Sequence, residues 1–102
     1  MTKRLVGRGR VFQDDQFLTG VSCSLWVEPI YKDGRNQWAI NGQLMILGAD
    51  PFILTPLIAQ QKAVNLVLMD QSRLEVSVVG WSRMTGLYTV AGEIPSLAEQ
   101  RE

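Results

Sequence analysis

Hydrophobic and polar residues alternate along most of this chain, most cleanly between Val64 and Trp81. Val64, Leu66 and Leu68 take every second position, and after the break Asp70-Gln71-Ser72-Arg73 the residues Leu74, Val76 and Val78 do the same. A period of two, rich in β-branched residues and interrupted by a polar turn, predicts an antiparallel hairpin with one buried face. The two apolar sets meet in one core only if paired residue numbers sum to an even value, because a slip of one residue carries a strand's apolar set to the opposite face. The loop therefore holds an odd number of residues, three or five, for example Asp70-Gln71-Ser72. The break between the two runs has no Asn-Gly or Gly-Gly pair to favour a two-residue turn. Val67, Met69, Val79 and Trp81 fall on the hairpin's outer face and are candidate interface residues.

The same alternation predicts a first strand over residues 4–13, with Arg4, Val6, Arg8, Arg10 and Phe12 on one side and Leu5, Gly7, Gly9 and Val11 on the other. A second strand over 17–28 has Phe17, Val21, Cys23, Leu25 and Val27 on its apolar face, with Ser22, Ser24, Trp26 and Glu28 opposite. After the turn Lys32-Asp33-Gly34-Arg35-Asn36 comes a third strand over 37–47. Both faces are apolar near its end, which predicts a central or covered strand. Residues 49–63 lose the period. Thr55-Pro56, a plausible N-cap followed by proline, starts a short helix that turns Ile53, Leu54, Leu57 and Ile58 to one side. One or two helical turns are unstable alone, so this piece is expected to plug the sheet near residues 52–62. A last strand follows over 87–93.

The predicted fold is all-β: a small antiparallel barrel or rolled sheet of five to six strands with one short helix between strands 3 and 4. This is the element order of an OB-fold plus one strand. Residues 1–95 form a single β domain, and 96–102 a frayed tail. If the barrel stays open, strands 1 and 6 present unpaired edges to a second copy.

Composition narrows the function mainly by exclusion. The chain has 102 residues, 46% hydrophobic and 20% charged, as expected of a globular domain. No apolar run reaches the ~20 residues of a membrane helix, and the start lacks the apolar stretch of a signal peptide, so cytoplasmic residence without membrane contact is expected. With one cysteine and no histidine, Cys/His metal sites and Ser-His or Cys-His nucleophile pairs are excluded. Cys23, on the apolar side of its strand, reads as a buried thiol. Carboxylates fall singly or adjacently in predicted turns, and no Gly-rich phosphate loop is complete. No enzyme, cofactor or metal is expected.

The net charge is zero but uneven. Lys3, Arg4, Arg8 and Arg10 give the first ten residues four positive charges and no acid, which leaves the remainder equally negative. A basic strand suits an anionic partner. The opening Lys3-Arg-Leu-Val-Gly-Arg-Gly-Arg-Val11 resembles the first strand of single-strand-binding OB proteins, over about a tenth of the chain. That resemblance implies nucleic-acid binding through Arg4, Arg8, Arg10 and Trp26. The outward serines, Asn41, Gln43 and Glu28 depart from the basic and aromatic pattern of that family. Arg4-x-x-x-Arg8 also resembles the arginine motif of PilZ-type receptors. Glu75 replaces the glycine of their second motif and the separation is too long, so no cyclic dinucleotide site is assigned. The leading expectation is a non-catalytic interaction or structural module that self-associates or binds a protein, with nucleic-acid binding as the alternative.

Overall fold

A computed structural model describes residues 2–95, apart from the side chains of Lys32, Ile94 and Pro95. Six strands and one helix follow the predicted order: β1 (Lys3–Gln13), β2 (Gln16–Lys32), β3 (Arg35–Ile46), α1 (Thr55–Gln60), β4 (Ala63–Leu68), β5 (Arg73–Trp81) and β6 (Tyr88–Pro95). All neighbours are antiparallel, and the sheet closes as β1-β2-β3-β6-β5-β4. The sixth strand is no appendage. It stands between β3 and β5 and is paired on both sides, so it has no free edge along its first half. The expected tail, residues 96–102, lies outside the described residues. Among the described residues, no helix is long and apolar enough to cross a membrane.

Alternation places the core. Val21, Cys23, Leu25 and Val27 of β2 meet Ile40 and Leu44 of β3, Val64 and Leu66 of β4, Leu74, Val76 and Val78 of β5, and Tyr88 and Val90 of β6. Where three strands crowd in the row Leu25–Gly42–Val90, only glycine fits: a Cβ on Gly42 would lie 2.2 Å from the Ser24 carbonyl oxygen and 2.7 Å from the Leu25 Cα. The β4–β5 register sums to an even number, as the buried sets require. Its loop is one residue earlier than the example above. The Leu68 N–H donates to the Ser72 carbonyl and the Gln71 N–H to that of Leu68, which encloses Met69-Asp70-Gln71 with Gln71 left-handed at φ 71. This is the three-residue hairpin built on a turn followed by a left-handed residue.

Two bulges break the period where the sequence gives no sign of it. Between Val11 and Phe12 the β1–β2 register shifts and Leu18 loses its partner. Phe17, expected in the core, is turned outward, where it is 53% exposed and packs edge-on against Phe12 at 5.6 Å. Between Val78 and Gly80 the β5–β6 register shifts and Val79 is skipped. Trp81, expected outside, therefore pairs with the inward Tyr88 and packs against the core, with Phe52 at 5.4 Å. An extra residue reverses every facing beyond it. β3, expected to be central or covered, is central, between β2 and β6, while at its end the outward Met45 and the following Leu47 are each 47% exposed.

The helix plugs the barrel as expected. Leu54 and Leu57 are buried, and Ile53 and Ile58 pack beside them. Thr55 does not act as the cap; Leu54 holds that position, while the Thr55 hydroxyl donates to the Phe52 carbonyl at 2.8 Å. Tyr88, fully buried, donates its hydroxyl to the Pro51 carbonyl at 2.8 Å and ties the plug to the barrel wall. The plugged end gathers the end of β1, the starts of β2, β4 and β6, and the ends of β3 and β5. At the opposite end β2 and β3 run on as a long arm, and the molecule is elongated at 41 × 25 × 24 Å.

Candidate interaction surface

The outward residues of β1, β2, β3 and β6 form cross-strand rows. Arg4, Trp26, Asn41 and Ala91 make one row; Val6, Ser24, Gln43 and Thr89 the next; then Arg8, Ser22 and Met45; then Arg10 and Gly20. Three arginines thus stand at alternate or near-alternate positions, with about 20 Å of strand from Arg4 to Arg10. None of these rows contains a carboxylate. Glu28 and Glu93 enter only in the row beyond Trp26.

The structure brings Arg4 and Trp26 together. They are direct cross-strand partners, the Arg4 guanidinium sits 5.2 Å from the indole centroid, and its Nη2 donates to the Ser24 hydroxyl at 3.3 Å. A cation over an indole face is held by the ring's quadrupole. Arg10 lies similarly beside Phe12, at 5.9 Å. Beside Trp26, the side chains of Ser24, Asn41, Gln43 and Thr89 ring an open hollow of about 380 Å³ over Gly42. These uncharged hydrogen-bonding groups extend the site beyond the residues picked from sequence. Thr89 in particular needed the β3–β6 register, which no local pattern supplies.

The four apolar candidates on the hairpin are not brought together. Val67 is buried at 4% exposure outside the main core cluster, with Arg10 and Arg73 as its cross-strand neighbours. Met69 is 74% exposed in the loop. Val79 is exposed on its bulge, six residues along β5 from Arg73 and hence roughly 20 Å away. Trp81 faces inward.

A second feature adjoins the arginines. β1 pairs with β4 only over Gly9–Phe12, so among the described residues Lys3–Arg8 have β2 alone as a neighbour. The N–H of Leu47 donates to the carbonyl of Gly20, which assigns the even residues of β2 to β3 and the odd ones to β1. Leu5, Gly7 and Gly9 therefore bond to β2, while the backbone groups of Arg4, Val6 and Arg8 point to the unpaired side. Val6 is 68% exposed there. Between this edge and the β4–β5 turn lies a groove of about 300 Å³, with Leu5, Cys23, Leu68 and Met69 among its walls.

Two titratable groups of the groove are shifted. Burial pushes the Cys23 thiol up to about 11, so it stays protonated at neutral pH and is a poor nucleophile. Asp70 is held below the ordinary carboxylate value, first by the Ser72 hydroxyl and N–H and to a smaller extent by Lys3. Among the described residues, no group of three or more Cys, Asp or Glu side chains is placed to hold a metal ion. Comparison with protein-family models, with curated proteins and with solved structures gives no match.

Proposed function

We propose that the protein is a non-catalytic interaction module that holds an anionic polypeptide partner against the outer face of β1, β2 and β3. The observation that carries this reading is the alignment of Arg4, Arg8 and Arg10 along cross-strand rows that hold no carboxylate among the described residues, with Arg4 fixed by Trp26 and Ser24. A guanidinium presents a planar fork matched to carboxylate, and one already ordered loses less freedom on binding. The exposed side chains around it are serine, amide and threonine, which orient a ligand but do not activate one. The hairpin's apolar candidates are scattered, with Val67 buried, Trp81 inward and Met69 and Val79 apart.

Single-stranded nucleic acid is the second reading, favoured by the same stripe of arginines beside Trp26 and the amide-lined hollow. One observation weighs against it. A face of the Trp26 ring is already taken by Arg4, so base stacking there has to displace a cation. The two readings separate by titrating the protein with a glutamate-rich peptide and with an oligothymidylate. Raising salt from about 50 to 200 mM weakens a contact of several phosphates by orders of magnitude. Tight, Arg4-dependent peptide binding with no oligonucleotide shift at low salt is the expected result; the reverse pattern replaces the first reading with the second.

A further inference from the structure

We infer that the partner enters as an added β-strand, an acidic extended segment that pairs antiparallel with β1 over Arg4–Arg8. This deepens the proposed function and rests on its reading of the arginine face. The backbone groups of Arg4, Val6 and Arg8 point away from β2, and among the described residues no strand pairs with them, an arrangement that ordinarily recruits a further strand. β4 pairs with β1 as far as Leu68↔Gly9 and then turns away at Met69, so the incoming strand continues the line that β4 leaves. It lies in the groove between the β1 edge and the hairpin turn.

The side chains flanking this edge specify the occupant. Period-two pairing puts alternate residues of the added strand on the outer face, opposite Arg4 and Arg8, where carboxylates fit. The residues between them point inward over Leu5 and Leu68, where an aliphatic side chain of valine size fits the groove. Asp70 is the one acid on the groove wall, outnumbered by Lys3, Arg4 and Arg8. A second copy of this chain is disfavoured, because the antiparallel register centred on Val6 sets Arg4 directly opposite the Arg8 of the other chain.

A labelled seven-residue peptide alternating glutamate and valine tests the inference by fluorescence anisotropy on the full chain. We expect it to bind, while a lysine–valine peptide does not. Arg4→Gln and Arg8→Gln each weaken binding about ten-fold. N-methylation of alternate peptide residues, which removes the edge-facing donors but no charge, abolishes binding. Val6→Pro does the same from the protein side, and because the Val6 N–H has no strand partner among the described residues its melting curve stays close to that of the parent. Arginine-dependent binding that survives both N-methylation and Val6→Pro overturns strand addition and leaves the proposed function standing. Binding that ignores Arg4→Gln, or fails altogether, overturns the proposed function too. Binding seen only in a chain ending at Pro95, or a dimer abolished by Val6→Pro, overturns the choice of occupant.

Discussion

The two ends of this barrel are built from the same six strands but differ in how completely they are closed. At the plugged end β1 is paired on both sides, the helix seats Leu54 and Leu57 in the core, and Trp81, Phe52 and Tyr88 pack into a cluster. At the other end β1 has lost β4, and pairing between β5 and β6 ends at Ser77↔Ala91. Closure removes edges and buries side chains, whereas splitting leaves backbone groups available for another strand. Side-chain burial is thus concentrated at one end, and backbone without a second strand neighbour, among the described residues, at the other. Strand β1 spans both.

The largest expected effect tests that division directly. Leu66 is fully buried beside Val11 in the closed region, whereas Val6 on the same sheet is mostly exposed. Leu66→Ala should cost about 3 kcal/mol through lost burial and the cavity left behind. Val6→Ala should change stability by less than about 0.5 kcal/mol. Urea denaturation of both variants measures the difference, and equal losses would mean that the open end is packed as tightly as the closed one.

The next effect lies on the second seam, where β5 and β6 part. A Cβ on Gly92 would stand 2.6 Å from the Glu75 carbonyl oxygen and 3.2 Å from the Val76 Cα, both backbone atoms. Gly92→Ala forces the strands apart there and should cost about 2 kcal/mol, as overpacking does. A melting temperature unchanged from the parent would show that the split end yields freely.

The closed end was the more legible in the sequence. Its inner residues follow the period of two, the even register of the hairpin follows from Leu66, Leu68 and Leu74, and Pro56 marks the plug. What escaped was parity. Leu18 and Val79 each add one unpaired residue, and Phe17 and Trp81 consequently change sides. Nothing in the composition around them distinguishes a bulge from a regular strand, because the bulge answers the barrel's need to coil, which is a property of the assembled sheet. The arginine face was legible in part. Arg4, Arg8 and Arg10 show their alternation within one strand, and Trp26 shows its facing within another. Their juxtaposition with Asn41, Gln43 and Thr89, and the exclusion of carboxylates from those rows, depend on registers between strands distant in sequence.

A smaller effect probes the tie between plug and wall. Tyr88→Phe removes the hydroxyl that donates to the Pro51 carbonyl, and should cost about 1 kcal/mol. Burial, and secondarily the charge of Asp50, raise the Tyr88 phenol above its ordinary value. A raised acid favours the fold while it is protonated, so this contribution is complete below the unfolded value of about 10 and is lost as pH climbs through the folded one. Denaturation midpoints of parent and variant should therefore converge in alkaline solution. A constant gap across that range would assign the loss to packing instead of the hydroxyl.

The finest test reads the boundary between the two ends along β1 itself. Amide exchange reports whether each N–H is bonded, and alternation gives neighbouring residues opposite fates. Leu5, Gly7 and Gly9 donate toward β2 and should be protected, while Arg4, Val6 and Arg8 face the open edge and should exchange at nearly the free-peptide rate. From Arg10 onward the edge-facing groups meet β4, at Val67 and Asn65, so Arg10 and Phe12 should be protected as well. The expected signature is a period of two that ends at Gly9. Protection of Val6 in the isolated protein at low concentration would mean that the edge is already occupied within the chain, and the line between the closed end and the open one would then have to be moved toward Lys3.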